Sequence, residues 1–196
     1  MDPLILASSS PRRRELLTQI GVSFEVVTVV VDESLRAGEP PEGYVLRLAR
    51  EKARAGIAAA GRAEACLALG ADTVVVLDGE ILQKPAGRAE ALAMLTRLSG
   101  RTHRVLSGVA LAGRCECARL SESRVTFRRI EAREREAYWE TGEPADKAGA
   151  YAIQGRGAVF VERLEGSYSG VVGLPLRETA EMLAQCGADL YHSPPE

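Results

Sequence analysis

Lysine is nearly missing from this sequence. Of its 25 cationic side chains only Lys52, Lys84 and Lys147 are lysine, and the other 22 are arginine. Histidine is scarcer still: His103 and His192 are too few for a histidine-based triad or zinc set. Aromatics make up 5% of the chain and the net charge is −2. Neither a stacking series nor a basic field is therefore present, which excludes the usual routes to nucleic acid or an anionic membrane surface. No apolar run approaches the roughly 20 residues of a membrane span, and the longest, such as 26–31, are strand-sized. The run at 4–7 is too short for a secretory segment and has no basic stretch before it, so a cytoplasmic protein is expected. Four cysteines (Cys66, Cys115, Cys117 and Cys186) give no C-x-x-C pair. Cys115-x-Cys117 has the opening of a zinc site without its partner spacing, and the expectation is reduced, unpaired thiols.

What is present describes a globular chain. It has 196 residues, 46% hydrophobic and 27% charged, enough for one domain over 1–196 of at most two small lobes, with a loose tail from 188 to 196. Hydrophobic patterning and breakers predict strands at 4–8, 24–31, 69–77, 80–83, 104–112, 119–128, 158–164 and 169–172. They predict helices at 11–20, 42–60, 88–98, 131–140 and 177–186. Asp78-Gly79 marks a two-residue hairpin turn, and 143–157 is irregular and glycine-rich. Interleaved strands and helices with two hairpins imply an α/β fold on a mixed sheet.

Four groups of residues can carry chemistry. Ser8-Ser9-Ser10-Pro11-Arg12-Arg13 lies at a strand-to-helix turn, where free N–H groups, serine hydroxyls and arginine forks suit a phosphate. Cations in a first helical turn oppose the helix dipole by about 0.3–1 kcal/mol each, so Arg12, Arg13 and Arg14 gain from an anion among them. As plain structure, the same residues are a serine cap with solvated arginines. Lys52 falls on the apolar stripe of its helix with Val45, Leu48, Ala49, Ala53 and Gly56, whereas Arg47, Arg50 and Arg54 fall opposite. A lysine there either meets a carboxylate or a ligand, or snorkels past small neighbours to water.

Counting out from Asp78-Gly79 pairs Leu77 with Glu80 and Thr73 with Lys84, which makes Asp72 and Lys84 diagonal neighbours at the hairpin's open end. A strict pleat points those two to opposite faces, so contact requires a bulge or a frayed end. They are either an acid and a cation beside a phosphate or a simple salt bridge. In 142–155, glycines allow close approach of a ligand, and Asp146, Lys147 and Gln154 can read polar edges, an amide being suited to a base. Glu33 follows an apolar strand and can join Asp72 on a divalent cation, with Asp32 an equal candidate by pattern. Tyr138 and Trp139 read as core anchors and His103 as a strand-end residue.

The order of blocks is itself informative. Leu6-Ala-Ser-Ser-Ser-Pro-Arg-Arg13, Gly70-Ala-Asp-Thr73, Gln83-Lys-Pro85, Ser99-Gly-Arg-Thr-His103, 142–155 and 166–176 together resemble the signature blocks of the Maf family. The late block Asp146-Lys-Ala-Gly-Ala-Tyr-x-Ile-Gln-Gly155 is similar to the branch acting on dTTP and UTP, with Ala152 where that branch usually has glycine. The resemblance implies a Maf/ITPase-like α/β fold: a mixed, strongly bent sheet flanked by helices, with two lobes around a cleft, usually as a homodimer. It implies a nucleoside triphosphate pyrophosphatase needing a divalent metal, Mg2+ or Mn2+. In that reading Asp72 is the proton acceptor, and Arg12, Arg13, Lys52 and Lys84 neutralise the triphosphate. Arg12, Thr73 and Gln154 set base choice. Ser8 and Lys147 join the phosphate set by their own chemistry, and Glu33 and Asp72 are the metal candidates. The family is also linked to septum formation, so a nucleotide-binding regulator of cell division is the alternative from another class, and a preference for a different modified nucleotide is the alternative within this one.

Overall fold

In the computed structural model, which describes residues 4–61 and 66–188, the sheet is arranged about strand β3 (Leu67–Leu77). Along one edge β3 pairs antiparallel with β5 (Thr102–Gly113), from Leu67 opposite Gly113 to Val76 opposite Arg104. Its other edge is shared by two short partners. Ala68 and Leu69 pair parallel with β1 (Leu4–Leu6), and Val75 to Leu77 pair antiparallel with β4 (Glu80–Leu82). Among the described residues, 70–74 have no strand partner on that edge. The gap falls at Asp72 and Thr73.

β2 (Phe24–Val26) extends the sheet beyond β1 in parallel, and β6 (Cys117–Phe127) and β7 (Val161–Glu165) extend it beyond β5 in antiparallel. The mixed sheet expected from the sequence is therefore present, flanked by helices. α2 (Pro41–Ala60) crosses one face of β3 and β5, burying Tyr44, Val45, Leu48, Ala49, Ala53 and Gly56, and stops at Gly61 in the left-handed conformation. On the other face, α1 (Pro11–Gln19) and α6 (Leu176–Gln185) close a core with Leu6, Leu17, Leu69, Met182 and Leu183. A second core lies toward α3 (Arg88–Leu98) and α4 (Ala132–Glu140), built on Leu95, Phe127, Tyr138, Tyr151 and Phe160.

Two glycines set how close α2 comes. A Cβ on Gly70 would lie 2.3 Å from the Ala49 carbonyl oxygen and 2.4 Å from the Ala53 nitrogen, and one on Gly108 would lie 2.5 Å from the Val45 carbonyl oxygen. Those are backbone atoms of α2, which move only if the whole helix moves. Gly70→Ala is expected to destabilise the fold by about 3 kcal/mol, a fall in Tm on the order of 10 °C for a chain of this size. Thermal unfolding followed by circular dichroism checks this, and an unchanged Tm would contradict the close approach.

Three expectations need correction. The strand foreseen at 24–31 stops at Val26, because its partner β1 offers only Leu4–Leu6 before the chain turns into α1. The strand foreseen at 169–172 is helical, within α5 (Tyr168–Val172): the Ser167 hydroxyl accepts the Gly170 N–H and caps the helix, a local bond that outweighs the β preference of Val171 and Val172. The cysteines are not all free, since Cys115 and Cys186 form a disulfide across 71 residues of sequence. The β5–β6 turn meets the end of α6 only in the fold, so spacing along the chain held no sign of it. The foreseen tail beyond Ala188 lies outside the described residues.

Candidate active site

The N-terminus of α1 forms one wall. Ser10 takes the extended N-cap conformation with Pro11 next, yet its hydroxyl makes no cap bond. Ser8 Oγ accepts instead from the Ser10 N–H and from Arg13 Nη1, both at 3.2 Å, while Arg13 Nε donates to the Gly173 carbonyl at 2.8 Å. Arg13 is thereby drawn into the cleft. Burial pushes its pKa down and the charge of Asp72 pulls it back up, and the guanidinium stays charged because arginine titrates so far above neutral. Arg12 lies 3.8 Å from Asp146, and Arg14 is exposed.

The floor comes from α2 and β3. Alternation along β3 places Asp72 on the α2 face with Gly70, Val74 and Val76. There Lys52 Nζ lies 2.7 Å from Asp72 Oδ1 and 2.7 Å from Glu33 Oε1, with the Lys52 and Asp72 side chains 12% and 13% exposed. One ammonium bridges two carboxylates. Burial pushes the Glu33 pKa up, but the bond and charge of Lys52, aided by Lys84 and Arg13, outweigh it and hold the group below its ordinary value. Tyr44 donates to the Glu33 carbonyl at 2.7 Å, and burial together with the charges of Asp72 and Glu33 pushes its phenol up to about 12. Asp32 takes no part, because its carboxylate accepts the Ser34 N–H within its own loop.

Lys84 does not pair with Asp72. It follows the end of β4, lines the cleft, and acts on Glu33 through its charge. The pleat warned of this, and the cation that Asp72 meets comes from α2. Thr73 points to the opposite face, 2.7 Å from Ser107 Oγ. The glycine-rich stretch closes the cleft as 3₁₀ turns at Glu143–Asp146 and Ala148–Ala150, followed by the segment carrying Gln154. Lys147 is bonded to Asp146, and Gln154 is exposed within the cleft. Tyr138 and Glu143 hold that segment. The Tyr138 hydroxyl donates to Glu143 at 2.6 Å and accepts the Ala152 N–H at 3.0 Å, and Glu143 also accepts the Arg156 and Gly157 N–H groups. His103 is buried against Tyr151, 2.8 Å from its hydroxyl, and desolvation pushes it down to about 4, so it is neutral near pH 7 and structural.

The cleft so formed has a volume of about 480 Å³. Most of the residues singled out from the sequence line it, namely Ser8, Arg12, Arg13, Glu33, Lys52, Asp72, Thr73, Lys84, Lys147 and Gln154, whereas Asp32 and Arg14 do not. All three lysines of the chain are among them, against two of its 22 arginines. Five cations face three carboxylates (Glu33, Asp72 and Asp146), an excess that a polyanionic ligand balances. Sequence reasoning passed over Tyr44 and Gly173. Tyr44 sits two turns before Lys52 on the same stripe, which was a usable signal, whereas the Gly173 carbonyl carries none.

Glu33 and Asp72 are a reasonable donor set for Mg2+ or Mn2+. Both carboxylates already converge on one cation, and Mg2+ is commonly held by one or two carboxylates with water and substrate phosphates completing its shell. Among the described residues, the group of three clustered potential ligands is a set of cysteines elsewhere in the fold.

The sequence profile of a family described as Maf-like protein matches residues 3–186. A protein of Alkalilimnicola ehrlichii named dTTP/UTP pyrophosphatase is 59% identical over 95% of this chain and 94% of its own length. Proteins of the same name from Methylococcus capsulatus and Salmonella typhimurium are 58% and 53% identical, over 94% and 96% of this chain and 91% and 95% of theirs.

Proposed function

This chain belongs to the Maf family, and from that premise we propose that it hydrolyses dTTP and UTP to the nucleoside monophosphate and pyrophosphate. The reading extends to modified pyrimidine triphosphates. The observation that carries it is the placement of Asp72 and Lys52 at the unpaired stretch of β3, inside a cleft holding all three lysines. A triphosphate is a compact polyanion, and attack at its α-phosphorus requires neutralised phosphates and a positioned water more than a covalent nucleophile.

Asp72 takes the proton of the attacking water, whose oxygen bonds to the α-phosphorus as the pyrophosphate leaves. Lys52 fixes the Asp72 carboxylate, and Arg12, Arg13, Lys84 and Lys147, with the Ser8 hydroxyl, hold phosphate oxygens. Gln154 presents its amide to the uracil or thymine edge, with Arg12 and Thr73 shaping the choice of base. Glu33 and Asp72 would hold a divalent metal, which when bound supplies charge neutralisation at the phosphates. A nucleoside triphosphate substrate supports the cytoplasmic location expected from the sequence. The family resemblance makes a homodimer the proposed assembly.

A panel of nucleoside triphosphates tests the proposal. With Mg2+ or Mn2+ present, pyrophosphate release is expected to be greatest for dTTP and UTP and far lower with Asp72→Asn. Equal inactivity of both proteins on every triphosphate would remove the enzymatic reading, and nucleotide binding alone would then favour a regulator.

A further inference from the structure

Cys115, Cys117 and Cys186 lie away from the cleft and serve none of the roles above. Their three sulfurs all lie within 4.8 Å of one another. Cys115 is bonded to Cys186, and Cys117 Sγ stands 3.9 Å from Cys186 Sγ. Cys115 stands in the β5–β6 turn and Cys117 opens β6, so this end of the hairpin offers two sulfurs to one partner at the end of α6. That partner is held in place. The Cys186 N–H bonds to the Met182 and Leu183 carbonyls, and Arg119 of β6 reaches Gln185 Oε1 at 3.1 Å. Cys186 is buried, whereas both hairpin cysteines are partly exposed.

We propose that these residues form a reversible thiol-oxidation site in which Cys186 bonds alternately to Cys115 and Cys117. In the exchange the Cys117 thiolate attacks Cys186 Sγ, the Cys117–Cys186 bond forms and the Cys115–Cys186 bond breaks. The displaced Cys115 sulfur takes a proton in place of the one Cys117 gave up, so no oxidant is consumed. Closing the bond from the dithiol form removes two electrons and two protons. A low-molecular-weight disulfide accepts them and becomes two thiols, or a hydroperoxide accepts them and becomes an alcohol and water. Either linkage ties α6 to the β5–β6 turn, and α6 follows directly on the Gly173–Pro175 segment whose first carbonyl holds Arg13. Two alternative partners for one buried sulfur let the clamp close whichever hairpin thiol reacts first.

The test is disulfide mapping of the whole chain after reduction and reoxidation with oxidised glutathione, with free thiols alkylated in acid to stop exchange. Wild type is expected to yield both the 115–186 and the 117–186 linked peptides. Cys117→Ser should yield only the first and Cys115→Ser only the second. Both single variants should keep a Tm gap between oxidised and reduced forms on the order of 5–10 °C, and Cys186→Ser should lose it. The 115–186 linkage alone in wild type overturns the proposal, whatever the single variants yield. Because the wild-type linkages are read directly, the outcome does not depend on how well any variant folds.

Discussion

Asp72→Asn is expected to lower kcat for dTTP and UTP by about 10²–10⁴-fold, the usual loss when a positioned general base is removed. The amide is nearly the same shape as the carboxylate and its oxygen can still accept from Lys52 Nζ, now 2.7 Å from Asp72 Oδ1. Lys52 also keeps Glu33, so the ammonium is not left unpaired. The stability cost is correspondingly small, about 1–2 kcal/mol or a few degrees in Tm. Steady-state pyrophosphate release together with a melt separates the two effects.

The pH profile adds a readout that a structural role would not move. A base that must be ionised gives kcat/KM a rising limb with pH. An amide in place of the Asp72 carboxylate cannot titrate, so that limb should vanish in the variant. Glu33 is the rival acceptor. It is about half exposed, whereas the Asp72 side chain is 13% exposed at the gap in the sheet, and Lys52 holds Glu33 below its ordinary value. Glu33→Gln should therefore leave the rising limb in place. A profile that lost its limb with Glu33→Gln and kept it with Asp72→Asn would exchange the two roles.

Much of this arrangement was written locally in the chain. The 100° spacing of α2 put Lys52 among Val45, Leu48, Ala49 and Ala53, and the helix buries that stripe. Asp78-Gly79 fixed the hairpin register, and Leu77 does face Glu80. The helix at 88–98 has the bounds its pattern implied, because Gly87 and Gly100 bracket a continuous amphipathic run.

What the pattern could not contain is how segments meet. Pleating placed Asp72 and Lys84 on opposite sides, but only the packing of α2 across β3 supplies Lys52 as the actual partner. The gap at Asp72 and Thr73 exists because β1 and β4 divide one edge of β3 between them, a property of three strands from distant parts of the chain. Ser169–Val172 failed for the opposite reason: a single Ser167 side-chain bond, too local for a hydrophobic pattern to register, decided for helix. The cystine belongs with the first kind, as its two halves are neighbours only through the β5–β6 turn and the end of α6.

Lys52 offers the sharpest test of why lysine was kept where arginine is otherwise the rule. Lys52→Met removes the ammonium that pairs with both Asp72 and Glu33, and kcat/KM is expected to fall by about 10²–10³-fold, as for loss of a buried charge-stabilising donor. Lys52→Arg keeps the charge but should lose activity as well. Its stem passes close over β3, where even a Cβ on Gly70 would come within 3.0 Å of Lys52 Cβ. A planar fork there cannot take the position of a compact ammonium between two carboxylates.

Stability responds to pH with a definite sign. In wild type the depressed Glu33 pKa contributes stability above the ordinary carboxylate range, and that contribution fades as pH falls through the lowered folded value. In Lys52→Met the largest remaining influence on Glu33 is burial, which raises its pKa, and Asp72 and Glu33 face each other without their cation. The variant should thus melt well below wild type at pH 7, and the gap should narrow on acidification toward pH ~4 as the carboxylates take up protons. Paired melts across that range check the sign, and a gap that widens in acid would rule out the shared-cation geometry. If Lys52→Arg turned over dTTP at close to the wild-type rate, the three lysines would be an accident of composition rather than an outline of the cleft.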